Sequence, residues 1–114
     1  MKNNFEVVFL EEAIDFLEEL EENARRKIIY NIRKAQVLKD NELFKKIDND
    51  IWEFRTLYSK TYYRLFAFWD KSEKKLIIVT NGFTKKTSKT PSKDIKRARL
   101  IMFRYLENRE KRKK

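Results

Sequence analysis

From Ile51 to Phe83 the apolar residues recur with a period of two, broken only at Ser59-Lys60 and at Asp70-Lys71-Ser72-Glu73-Lys74. Such alternation sends successive side chains to opposite faces of a strand. The runs Ile51–Tyr58, Thr61–Trp69 and Lys75–Phe83 therefore predict three strands, and their short connections predict an antiparallel meander. Arg55 and Arg64 sit inside two of these runs. A strand normally gives its buried positions to apolar residues, so arginine there puts cation on a sheet face. A rigid cationic face is what a phosphate backbone needs. The same pattern also fits a pairing within the sheet, each arginine with Glu53 or another acid across the strands.

Ahead of the meander, Phe5, Val7 and Phe9 alternate within Asn4–Leu10 and read as a strand. Ala13, Ile14, Leu17 and Leu20 then recur at helical spacing, with glutamates between them. After a break at Asn23, Ala24, Ile28, Ile32, Ala35 and Leu38 mark a second helix. The short break predicts an antiparallel helix pair. Downstream of the meander, Thr90 can cap a last helix, Pro91 suits its first position, and Ile95, Ala98, Met102 and Leu106 form its apolar stripe. The expected order is β-α-α-β-β-β-α, an α+β fold with an antiparallel sheet. Helices on one face would leave the other free to bind. Residues 1–108 read as a single domain and 109–114 as a basic tail that frays.

The chain of 114 residues suits one domain, and 41% hydrophobic residues suffice for a core. No run is long enough to span a membrane, and the start of the chain carries Glu6 where a signal peptide would be apolar. The expectation is a cytoplasmic protein with no membrane partner. Charge is segregated. Residues 1–22 hold one lysine and eight acids; the rest holds 27 basic and 10 acidic residues, a balance of +17. A basic excess so placed points to a polyanion such as nucleic acid or the ribosome, and otherwise to a merely solvated surface.

Histidine and cysteine are both absent. That excludes the Ser-His-Asp triad, thiolate chemistry and most zinc sites. The single glycine, Gly82, cannot build a phosphate loop. Eight of the 18 acids lie in the first 22 residues, which argues against paired carboxylates around magnesium; no metal or cofactor is expected. RNA carries its own nucleophile, the 2′-hydroxyl. A protein then has to align it and stabilise charge on the phosphorane, which fixed arginines and lysines can do. Proton transfer would fall to lysine, tyrosine, glutamate or solvent. Lys85, Lys86 and Lys89 are close enough in sequence to lower one another's affinity for a proton, or are simply a solvated loop. Phe54, Tyr63, Phe66, Phe68 and Trp69 read as packing, whereas Tyr58 and Tyr62, near a turn, can meet a base. Arg25, Arg26, Arg33 and Lys34 form a stripe on the second helix, either an ordinary exterior or an extension of an RNA footprint.

The segments Leu43-Phe44-Lys45-Lys46-Ile47, Ile51-Trp52-Glu53-Phe54-Arg55, Tyr63-Arg64-Leu65-Phe66 and Gly82-Phe83-Thr84-Lys85-Lys86-Thr87, then Lys89-Thr90-Pro91 with Asp94-Ile95 and Ala98, together resemble the phage-derived HigB-like branch of the RelE/ParE toxin superfamily. The resemblance covers roughly residues 4–108. It implies the toxin of a type II toxin–antitoxin system, a ribosome-dependent mRNA endoribonuclease that cuts mRNA in the ribosomal A site without metal. It implies ribosomal RNA contacts and a cognate helix-turn-helix antitoxin. Carried over by motif, the catalytic positions are Arg55, Arg64, Lys85 and Lys86, with Lys89, Arg25, Arg26, Arg33, Lys34, Tyr58 and Tyr62 binding RNA. Several members use His or Tyr as base; lacking His, this chain receives no base from the resemblance. Two other readings share the fold: a ParE-like DNA gyrase poison, and a non-catalytic RNA-binding or antitoxin-complexed repressor subunit.

Overall fold

A computed structural model describes residues 3–86 and 91–112. Its elements are β1 (Glu6–Phe9), α1 (Glu11–Glu18), α2 (Glu22–Val37), β2 (Phe44–Asp48), β3 (Ile51–Tyr58), β4 (Thr61–Asp70), β5 (Leu76–Lys85) and α3 (Ser92–Arg112). The mixed α+β class agrees with the periodicity, and the three meander strands fall within about two residues of their expected ends.

The expected order needs one more strand. β2 pairs antiparallel with β3, so four strands follow the helix pair rather than three. Its apolar residues, Phe44 and Ile47, are three apart with two lysines between, which hides a period of two. An odd separation in a strand sends the two side chains to opposite faces, and a bulge follows between Lys46 and Asp48. Phe44 thereby enters one side of the core while Ile47 packs on the other.

The sheet is also not wholly antiparallel. Its order is β1-β5-β4-β3-β2, and β1 runs parallel to β5 with Val7 beside Ile77. Pairing between the first and last strands of a sheet is set by tertiary packing and leaves no local signal in sequence.

Nor do the helices share a face. On one side, Leu17 of α1 and Ile28, Ile32 and Ala35 of α2 pack on Phe54, Leu65, Ile77 and Val79. Phe5, Phe44, Trp52 and Trp69 extend that cluster, with Phe44 and Phe54 stacked at 4.3 Å between ring centroids. On the other side, Ala98 and Met102 of α3 pack on Ile51, Phe66, Phe68 and Ile78. Each fully buried apolar side chain of this size contributes about 1.5–3 kcal/mol. The face expected to be free is therefore free only in part.

Two local devices hold the layers. Gly82 of β5 lies under α1; a Cβ built there would stand 2.6 Å from the Phe16 ring and 2.9 Å from the Arg64 carbonyl oxygen. Asp70, at the far end of β4, accepts hydrogen bonds from the Arg109 guanidinium and from the Tyr105 hydroxyl of α3. That buried carboxylate anchors the C-terminal half of α3, which runs to Arg112, so the described part of the expected frayed tail is helical. Among the described residues, no helix is long and apolar enough to cross a membrane.

Candidate functional site

Register across the three central strands sorts the face under α3 into rows. Glu53, Phe66 and Asn81 form one row; Arg55, Arg64 and Phe83 form the next; Leu57, Tyr62 and Lys85 form the last. Neighbours within a row stand about 5 Å apart, and successive same-face rows about 7 Å. α3 covers the rows that hold Phe66 and Phe68. The last row lies open, with Leu57 55% exposed.

Arg55 and Arg64 are cross-strand partners, so two like charges face each other directly. Glu53 offsets them. Its Oε1 lies 3.4 Å from Arg55 Nε and 3.3 Å from Arg64 Nε. The pairing with Glu53 read from the sequence is thus present for both arginines. Their exposure differs sharply: the side chain of Arg64 is 3% exposed and that of Arg55 26%. Arg64 also donates to the Tyr63 carbonyl oxygen, and its guanidinium carbon stands 5.0 Å from the Tyr62 ring centroid. Burial holds the Arg64 pKa below the usual arginine value; Glu53 opposes that lowering, Arg55 adds to it and Tyr62 opposes it. Arg55 Nε is buried without a hydrogen bond, so its approach to Glu53 is electrostatic attraction and its N–H is unspent.

Lys85 stands opposite Tyr62 in the open row. Lys86 does not join it. Its Nζ donates to Thr61 Oγ1 at 3.1 Å, and Thr61 alternates with Tyr62 toward the α1–α2 side. The lysine cluster expected after β5 is split by strand alternation, and Lys89 lies outside the described residues. Tyr62 shares the face of the arginines, whereas Tyr58 alternates with Leu57 and belongs to the side where Thr56 accepts from Asn31 of α2.

The basic stripe on α2 is on the wrong side of the sheet to extend this face. α2 buries Ala24, Ile28 and Ile32 against the opposite surface, which turns Arg26, Arg33 and Lys34 outward there. Arg25 donates to the carbonyl oxygens of Leu17 and Leu20, closing the C-terminal end of α1. Arg26 pairs with Glu22 one turn away. Arg33 and Lys34 are exposed.

The group least prominent in the sequence is Glu53. Its one signal was its phase, since Ile51, Glu53, Arg55 and Leu57 alternate onto one face.

Comparison with known proteins then bears on what the face is for. The family model of phage-derived Gp49-like proteins (DUF891) matches residues 15–102. The chain belongs to the Gp49-like family. Members of this family are associated with the toxins of toxin–antitoxin systems. The matched span holds all three rows of this Gp49-like face, together with α2 and the N-terminal half of α3. No curated protein matches the chain significantly.

Proposed function

We propose that this chain is the toxin of a type II toxin–antitoxin system, of the HigB-like branch of the RelE/ParE superfamily, and that it cleaves mRNA on the ribosome without a metal ion. The observation that carries this reading is the cationic row of Arg55 and Arg64 on a rigid sheet, continued by Lys85 in an open row, in a chain of the Gp49-like family. Arg55 and Lys85 would hold the scissile phosphate, and Arg64 would add positive potential from beneath. The 2′-hydroxyl oxygen attacks phosphorus as its proton passes to solvent, the bond from phosphorus to the 5′-oxygen breaks, and the departing 5′-oxygen takes a proton from solvent. The products are a 2′,3′-cyclic phosphate and a 5′-hydroxyl end. Charge on phosphate rises as the phosphorane forms, and fixed cations in a partly dry site stabilise that rise. Tyr62 and Leu57 would bracket the neighbouring base or ribose.

Lys86, turned to Thr61, is assigned to the flanking RNA strand, as is Lys89. Arg33 and Lys34 would meet ribosomal RNA from the other side of the molecule. The partner is a helix-turn-helix antitoxin whose acidic or helical segment covers the cationic rows. The testing experiment maps mRNA 5′ ends in translating ribosomes with and without the protein. New ends within A-site codons, lost when ribosomes are omitted, support the reading. Intact mRNA with DNA damage on expression supports gyrase poisoning, and tight ribosome binding with intact mRNA supports a binding-only protein.

A further inference from the structure

We infer that Glu53 is a positioning residue of the cationic face, clamping Arg64 below the surface so that Arg55 alone of the pair meets the phosphate. The inference rests on the phosphate-binding reading of that face. Three observations support it. Glu53 is 2% exposed at a strand position whose same-face neighbours include Ile51, where an apolar residue would avoid desolvation. Replacing a buried ion cluster by packed apolar groups is often neutral or stabilising, so stability alone does not account for it. Second, Oε1 reaches the Nε of both arginines, at 3.4 and 3.3 Å, and one carboxylate thereby offsets a like-charged pair that would otherwise repel across the strands. Third, the two contacts are unequal in consequence. Arg64 is buried and further tied to the Tyr63 carbonyl, while the Arg55 side chain is 26% exposed.

The charge balance gives the device a direction. Among the described residues of the three rows, Arg55, Arg64 and Lys85 less Glu53 give a net charge of +2. A phosphodiester carries one negative charge and its phosphorane transition state about two. With Glu53 present the face is matched to the later state rather than oversupplied with cation for the earlier one, and matching of that kind raises turnover rather than mere affinity. Neutralising Glu53 therefore strengthens ground-state binding while loosening Arg55, and a misplacement of about 1 Å lowers the rate about 10²-fold.

The test compares wild type with Glu53→Gln in three measurements. The first is the Nε–Hε NMR signals of Arg55 and Arg64 in the free protein. The second is affinity for ribosomes programmed with mRNA carrying a 2′-O-methyl group at the cleavage site. The third is single-turnover cleavage of the unmodified message. The expected result is loss or averaging of the two arginine signals, affinity equal or tighter, and cleavage slower by about 10²-fold. Unchanged arginine signals with unchanged cleavage would overturn the inference, as would affinity and cleavage falling together. Should Glu53→Gln fail to fold, the double variant Glu53→Met/Arg64→Met removes both buried charges. Arg55 then loses its order in a folded protein if the inference holds and keeps it if the inference fails. A wild-type protein that binds programmed ribosomes and cuts nothing would refute the nuclease reading, while the NMR and affinity arms still decide the role of Glu53.

Discussion

Arg55 and Arg64 stand directly opposite each other on β3 and β4, and both lean on a single oxygen of Glu53. The two arginines are nonetheless unequal. Arg64 is inside the protein and Arg55 is at its surface, so their removal separates stability from surface chemistry.

Arg64→Ala takes from the buried Glu53 carboxylate its buried counter-ion. Breaking a buried pair by deleting one partner costs about 3–5 kcal/mol. The variant should lose that much by urea unfolding, while Arg55→Ala, at a partly exposed site, loses about 1 kcal/mol or less. Equal losses would contradict the asymmetry.

Gly82 is a packing requirement rather than a turn. Gly82→Ala forces a methyl into the Phe16 ring and the Arg64 carbonyl oxygen. The predicted cost is about 1–3 kcal/mol, as for overpacking elsewhere. Pairing it with Phe16→Leu should restore part of the loss in a double-mutant cycle, because the clash is chiefly with that ring.

Asp70 binds α3 to the sheet end. It accepts from Arg109, Tyr105 and Ser72, and its side chain is 1% exposed. Arg109→Ala should destabilise by about 3 kcal/mol and speed amide exchange in the last turns of α3 before it does so in β4. Uniform exchange changes across both elements would contradict the anchoring role.

At the edge strand, Asp48 is held below its ordinary carboxyl pKa of 3.8 by the Asn49 backbone N–H and then by Arg99. A depressed folded pKa means stability present above 3.8 and lost as pH falls through the lower, folded value. Asp48→Asn should therefore flatten the acid limb of the melting temperature against pH by lowering the neutral plateau, with the most acidic end nearly unchanged.

Much of the fold was legible because the helical and strand periods are clean. The stretch from Ile51 to Lys85 is rich in aromatic and β-branched residues, with unambiguous turns between its runs. β2 was illegible because Phe44 and Ile47 enter opposite sides of the sheet, so that neither face shows a repeated apolar position. The side taken by α3 was equally hidden, since the stripe Ile95, Ala98 and Met102 says that one face is buried and not against which sheet surface. At the candidate site, the phase of Arg55 and Arg64 located the cationic face. It did not separate Lys85, the last residue of β5, from Lys86 just beyond it, which turns to Thr61. Depth was the other missing quantity: no pattern of residue types distinguishes the buried Arg64 from the partly exposed Arg55.

The most direct test of the account is single-turnover cleavage of mRNA on programmed ribosomes by wild type and Arg55→Ala, with ends mapped to the nucleotide. The account predicts cleavage within the A-site codon by wild type, a 5′-hydroxyl product, and a rate lower by about 10²–10³ for the variant at similar melting temperature. Undiminished cleavage by a folded Arg55→Ala protein would contradict it.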